Sequence, residues 1–393
     1  MTAGRIGPAL LLLALVACDR GAVQADGRAV AAAVTERPTA AAGPGLPRAG
    51  AAPERRPGEG SGRTVTFAFG GDVNFEATPG TLLDQDPAAL LAGVAEPLTA
   101  DVTMVNLETA VTERGTEAPK EFNFRAPAAA FAALRDAGVD VVTLANNHGM
   151  DYGEEGLLDT LAAADDPATG LPLVGAGHDV VEAYAPFRLT VRGQRISVFG
   201  GSRVTDGHLI EPWTATEDRP GLAIAEDPTR LIEAVAAERR RADTLVVYLH
   251  WGRERETCPI ADQPEVADAL IAAGADVVVG SHAHVPLAGG MRGGAYVHYG
   301  LGNFVFGSAG GPSAEAGVLR LTMTGRRVDA AEWVPIRLRS GVPAVLEGDE
   351  AADARAAWTD LRGCADLEAG TESASVEATD DTTTDDDGSG TDG

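Results

Sequence analysis

Five apolar, β-branched stretches of this 393-residue chain each stop at a polar cluster, and those clusters hold four of its seven histidines. The first runs into Gly70-Gly-Asp72, and the second into Asn106-Leu-Glu108. The third ends at Ala145-Asn-Asn-His148, with Gly149-Met-Asp151 after it. The fourth ends at His250-Trp-Gly252 and the fifth at Gly280-Ser-His282-Ala-His284. Short apolar runs bounded by turn signals read as buried strands. Helical patterns lie between them, at Ala128–Ala137, Gly153–Ala164, Pro228–Arg241 and Pro264–Ala273. Arg188–Val191 and Ile196–Gly200 read as a hairpin around Gly193, and short strands follow from Tyr296 to Ile336. Helices alternating with buried strands, then hairpins, predict a mixed α/β domain of stacked sheets with outer helices.

In open α/β folds, sites gather at the carboxyl ends of strands. Here those ends deliver Asp72, Glu108, an Asn-Asn pair with His148, His250, and His282 with His284. Carboxylate, amide and imidazole together form a metal-binding inventory, and mixing imidazole with hard oxygen suits Mn, Fe or Zn better than Ca. One histidine taken alone is more often structural than a ligand; the five clusters together point to one or two divalent ions. His148, oriented by Asp151, fits an acid–base role. Arg125 reads either as a bidentate partner for a substrate carboxylate or phosphate or as a solvated residue before a helix. Asn303 reads either as a pocket residue or as a turn former. Trp251 fits a core position better than a binding platform, and Glu254 is either a neighbour of the ligands or a surface residue. His178, His208 and His298 fall outside the clusters and read as structural or exposed.

The net charge is −27, unevenly spread. Residues 1–62 carry +2 and residues 365–393 carry −10, which leaves −19 on residues 63–364. This balance argues against nucleic acid as a partner, because phosphate binding needs clustered Lys and Arg. The acidic end, without apolar periodicity, reads as a disordered tail. Residues 1–17 contain one Arg and an apolar run too short to span a bilayer, the pattern of a signal peptide. That run ends in Leu15-Val16-Ala17-Cys18, which looks like a bacterial lipobox with Cys18 as the lipidated residue. The Ala/Gly/Pro/Arg-rich residues 18–62 then read as a tether from membrane to domain. An ordinary secretory leader is the alternative, and in either case the chain is exported. With Cys18 lipidated, Cys258 and Cys364 remain; in an oxidising compartment they pair, or else persist as two free thiols.

The strings Gly70-Gly-Asp72, Asn106-Leu-Glu108, Phe124-Arg125-Ala-Pro127, Ala145-Asn-Asn-His-Gly-Met-Asp-Tyr-Gly153, His250-Trp-Gly-Arg-Glu254, Gly280-Ser-His-Ala-His284 and Tyr299-Gly-Leu-Gly-Asn-Phe304 belong together. In combination they resemble the poly-γ-glutamate capsule synthesis protein family (CapA-type), which is related to calcineurin-like metallophosphoesterases. The resemblance covers roughly residues 64–340 and implies a single domain, 63–364, with a four-layer α/β/β/α sandwich. It implies Asp72 as a first-strand metal ligand and Glu108 as the bridging carboxylate. Asn147, His250, His282 and His284 complete the shell, with His148 as the acid. The phosphoesterase pattern has a histidine two residues after the first aspartate; here that residue is Asn74.

The function implied is synthesis or processing of poly-γ-glutamate, or a related anionic envelope polymer, by a lipid-anchored extracytoplasmic hydrolase or transferase. A non-catalytic polymer-binding lipoprotein and an extracellular phosphoesterase are the alternatives. Membrane synthase or export proteins are the expected partners. An acidic domain repels a polyanion at long range, so attraction requires a bound cation and local arginines.

Overall fold

The apolar runs become strands in two sheets. The computed structural model describes residues 60–370. The expected leader, Cys18, most of the tether and the tail from 371 lie outside the described residues.

The first sheet has eight strands. Its centre is parallel: Val65–Val73, Val102–Leu107, Val141–Thr143 and Leu173–Val174 follow one another. On the other side of Val65–Val73, the antiparallel strands Glu315–Thr324, Arg327–Arg339 and Val342–Val345 extend it. Asn303–Val305 adds a short parallel strand against the end of Val65–Val73, with Asn303 opposite Asp72. The second sheet has six strands, ordered Gly289–Arg292, Ala295–His298, Val277–Ser281, Thr244–His250, Gln194–Ser202 and Phe187–Val191. Its four inner strands are parallel. Its edge pairs are hairpins, and the expected turn at Gly193 has positive φ at both Arg192 and Gly193, as a tight two-residue turn requires.

Both faces of each sheet are covered, which is why the runs read as continuously apolar rather than alternating. Alternate residues point opposite ways along a strand. Phe67, Phe69 and Met104 of the first sheet therefore share one cluster with Val198, Val246, Tyr248 and Val279 of the second. Ala68, Val105 and Val142 point the other way, to Phe131 and Leu134 of the helix Ala129–Asp136 and to Leu157 and Leu161 of Gly153–Ala164. Val247, Leu249 and Val278 meet Leu231 and Val235 of Thr229–Glu238 and Leu270 of Asp262–Ala273. Each such fully buried Val, Leu, Phe or Met side chain contributes about 1.5–3 kcal/mol. Asp262–Ala273 ends at Gly274, whose left-handed φ of 118° closes the helix and turns the chain into the next strand.

One helix has no counterpart in the apolar pattern of the sequence. Gly348–Asp360 follows the last strand and anchors through Trp358, which stacks on Trp333 with centroids 5.2 Å apart. Cys364 beyond it is bonded to Cys258. Order continues past residue 364: Met291 and Glu368 exchange two backbone hydrogen bonds of 2.8 and 2.9 Å, so residues assigned from composition to the tail add to the sheet edge.

Candidate metal centre

Parallel strands in register bring their carboxyl ends level. Asp72 lies opposite Asn106 and Asn303, and Asn106 lies opposite Thr143. In the second sheet His250 lies opposite Ser281. The two rows of ends meet at one point. His282 donates its backbone N–H to Asp72 Oδ2 at 3.1 Å, and Asn106 Nδ2 lies 3.2 Å from His250 Nδ1. The approach needs glycine where chains cross: a Cβ on Gly71 would sit 1.8 Å from the Gly302 carbonyl oxygen. After Ser281 the chain is strained, with φ of 93° at His282 and 57° at His284. Left-handed backbone at such residues costs about 1–3 kcal/mol each and collects at functional sites.

The structure brings together all six expected ligands. Glu108 is in the middle, fully buried. Its Oε1 lies 3.6 Å from His250 Nε2 and 4.0 Å from the Nε2 atoms of both His148 and His284. Two triads share Glu108: Asp72–Glu108–His284 and Glu108–His250–His282, each with one ligand atom per residue within 4.8 Å of the others. Asn147 joins the second triad, its Oδ1 being 2.7 Å from His250 Nε2, and His282 Nδ1 lies 3.1 Å from that same nitrogen. His284 Nδ1 lies 3.4 Å from Asp72 Oδ2 and 2.8 Å from Asn303 Oδ1, so Asn303 orients that histidine.

The donor set fits a divalent cation. Both carboxylate oxygens of Glu108 are buried without a hydrogen-bond partner. An unsatisfied buried carboxylate is among the costliest groups a fold can hold. Burial, then repulsion from Asp72, pushes its pKa well above the usual carboxylate range. Burial also pushes His282 down to about 3 and His250 well below the ordinary imidazole value, so both present lone pairs rather than N–H charges. Burial acts upward on Asp72, but hydrogen bonding and attraction from His284 and attraction from His250 hold it below its ordinary value. Burial acts downward on His284, yet Glu108 and Asp72 push it up to about 10. The two carboxylates thus call for positive charge between them.

Beside the triads stands the expected acid–base pair. His148 Nδ1 lies 2.6 Å from Asp151 Oδ2, which leaves Nε2 facing Glu108. The Phe124 ring stacks on His148 with centroids 4.1 Å apart and shields it from water. Burial lowers the His148 pKa against the pull of Asp151.

Other expectations resolve differently. Asn74, where a histidine ligand stands in the phosphoesterase pattern, accepts from the backbone N–H groups of Glu76 and Gly307 at 3.3 and 3.4 Å; it braces a turn and adds no ligand. Arg125 is exposed and stacks over Tyr152 at 4.7 Å, beside Asp151 in sequence. Trp251 is a core residue, donating to the Tyr299 carbonyl at 2.9 Å, and Glu254 is exposed. His178 is exposed, His208 bonds the Pro119 carbonyl, and His298 is buried. Sequence reasoning passed over Asn106, which donates to Asp72 Oδ1 at 2.8 Å, and Asn146, which donates to Asn106 Oδ1 at 2.9 Å and so fixes that amide. It also passed over Lys120, 2.9 Å from Asp151 Oδ1. The Asn-Leu-Glu and Asn-Asn-His strings contained the two asparagines, but nothing in them ranked one asparagine over another.

The comparisons with known proteins identify the family. The family model described as bacterial capsule synthesis protein PGA_cap matches residues 66–308, a span that includes every ligand named above. The PGA biosynthesis protein CapA of Bacillus subtilis (strain 168) is 29% identical over 290 residues, 72% of this chain and 74% of that one. The capsule biosynthesis protein CapA of Bacillus anthracis is 29% identical over 231 residues, 58% of this chain and 54% of that one. This chain therefore spans about three quarters of the first relative and about half of the second. With a match across most of its described residues, the chain belongs to the bacterial capsule synthesis protein family PGA_cap.

Proposed function

We propose that this chain is a lipid-anchored, extracytoplasmic, metal-dependent hydrolase or transferase acting in poly-γ-glutamate synthesis or processing, on a four-layer α/β/β/α scaffold. Family membership supports the polymer, and the names of the Bacillus relatives point the same way. The Leu15–Cys18 string supports the anchor. Membrane-bound synthesis proteins are the partners this reading expects. One observation carries the enzymatic reading: Glu108, buried and without a donor, faces three imidazole nitrogens at 3.6–4.0 Å.

Asp72, Glu108 and His284 would hold one divalent ion, and Glu108, Asn147, His250 and His282 a second. With four protein ligands against three, the second position is the tighter. Bound there, Mn, Fe or Zn supplies Lewis acidity toward a carbonyl or phosphoryl oxygen and lowers the pKa of water.

The remaining chemistry belongs to the chain. Asp151 accepts the Nδ1 proton of His148 and sets the ring, so that Nε2 holds or delivers the mobile proton at the leaving group. Phe124 keeps bulk water off that ring. Arg125, exposed on the Tyr152 face, takes a substrate carboxylate. Because residues 63–364 carry −19, capture of an anionic chain depends on the ions and on Arg125 at close range.

The test loads purified protein with Mn, Fe or Zn and incubates it with poly-γ-glutamate and, separately, with a generic phosphoester. Shortening or transfer of the polymer, absent in His148→Ala, supports the proposal. Phosphoester turnover alone replaces it with the phosphoesterase reading. Tight polymer binding without turnover replaces it with a carrier.

A further inference from the structure

The chain has a single lysine among its 31 basic side chains, and it is Lys120. It lies in the loop between the short strands Ala110–Val111 and Arg125–Ala126. Its side chain is only 5% exposed. The ammonium donates to Asp151 Oδ1 at 2.9 Å and to the backbone carbonyl of Asn147, and it lies 5.4 Å from the Trp213 ring centre. Other bonds fasten the same loop to the same segment. Ala118 N–H donates to the Asp151 carbonyl at 2.8 Å, and Phe124 N–H donates to Asp151 Oδ2 at 2.6 Å.

We propose that Lys120 is a positioning residue that locks the Asn147–Asp151 segment, so that the Glu108–Asn147–His250–His282 position depends on it far more than the Asp72–Glu108–His284 position. It reaches the latter only through its charge acting on Glu108. This rests on the two-ion reading above. Asn147 carries the amide oxygen that faces His250, and its own carbonyl is what Lys120 holds. Asp151 sets His148, and its second oxygen is the other group Lys120 holds. One cation thus fixes the amide ligand and the acid–base residue, whose Nδ1 lies 3.3 Å from the ammonium. Asp72 and His284 make no contact of this kind; they are held by Asn106 and Asn303.

The choice of lysine follows from geometry. A tetrahedral ammonium on a slender stem sends donors along diverging directions to a carboxylate, a carbonyl and a ring face. A guanidinium is a flat fork made for one planar acceptor. In a chain that otherwise uses only arginine, the exception sits where a fork does not fit.

The experiment measures Mn²⁺ binding calorimetrically, with metal content, on the full chain as wild type, Lys120→Met and Lys120→Arg. The proposal expects two phases in wild type. In Lys120→Met the tight phase weakens roughly 10–100-fold, as for outer residues that orient ligands, while the weak phase, touched only by the lost charge, changes far less. Lys120→Arg keeps the charge and shows the same selective loss, so it decides the matter if Lys120→Met does not fold. Wild-type binding by either folded variant overturns the proposal, as does equal weakening of both phases, which is the signature of general destabilisation. A wild type that binds fewer than two ions overturns the two-ion reading and this inference with it. Two ions in wild type with an unchanged tight phase in the variants overturn the role of Lys120 alone.

Discussion

His250 Nε2 stands 3.6 Å from Glu108 Oε1, and both side chains are wholly buried. The two belong to different sheets, one at the end of Thr244–His250 and the other just past Val102–Leu107. A neutral imidazole and a carboxylate at that separation share no hydrogen bond, and Glu108 finds no other donor. Burial opposes the charged form of that carboxylate, and a cation between the two groups would favour it. The carboxyl ends of both sheets thus converge on one buried carboxylate.

His148 separates chemistry from metal binding. Its Nε2 faces Glu108 at 4.0 Å, but it is absent from both triads. His148→Asn is therefore expected to lower turnover by about 10²–10⁴-fold, the usual worth of a placed acid–base group, while metal content stays at the wild-type level. Metal lost in proportion to activity would make His148 a ligand instead.

His298 is predicted to limit stability in acid. It is fully buried beside Trp333 and Trp358, at 4.8 and 5.7 Å between centroids, and neither ring nitrogen has a partner. Burial, with repulsion from Arg362, pushes its pKa down from 6.5 to about 3. The unfolded chain therefore binds a proton that the folded chain refuses. Stability is full above the unfolded value and falls as pH drops from there toward 3, by up to about 1.4 kcal/mol per pH unit. His298→Phe keeps the stacking and removes both orphan nitrogens. Its melting temperature should exceed that of wild type, and the gap should widen between pH 7.5 and pH 5. A gap independent of pH contradicts the assignment.

The Cys258–Cys364 bond spans 106 residues. It ties the segment after His250 to the end of the chain's last described helix. In the chain-entropy account, closing a loop of that length contributes about 4–5 kcal/mol. The Cys258→Ser, Cys364→Ser double variant should lose that much in urea unfolding, with metal binding retained once folded. A loss below about 1 kcal/mol would mean that the Trp358 anchor already holds the helix without the bond.

Much of the site was legible because each ligand follows an apolar run. Asp72, Glu108, His250, His282 and His284 could be listed from strand ends alone, Asn147 was set apart from Asn146 only by the family resemblance, and the parity of the cysteines pointed to Cys258 and Cys364. Residues whose role is tertiary were not legible. Lys120 lies 27 residues from Asn147 and 31 from Asp151 in sequence, and no local pattern announces contacts across that span. Asn74 occupies a ligand position in the motif yet braces a turn, because its side chain meets two backbone donors there. The helix Gly348–Asp360 escaped notice because its Ala- and Asp-rich sequence has no strong apolar stripe; Trp358, not periodicity, pins it down.

The central claim is that Glu108 is kept for a cation and at the expense of the fold. The measurement is the melting temperature of wild type and Glu108→Gln, each stripped of metal and then titrated with Mn²⁺. Saturating metal should raise the wild-type value, by about 2.7 kcal/mol of added stability at a hundred times the dissociation constant. Glu108→Gln should show no metal response, with affinity reduced more than roughly 100-fold. Stripped of metal, it should be at least as stable as stripped wild type, because an amide has no charged form for burial to disfavour. A Glu108→Gln protein that binds Mn²⁺ as wild type does, or that is clearly less stable without metal, would contradict the account.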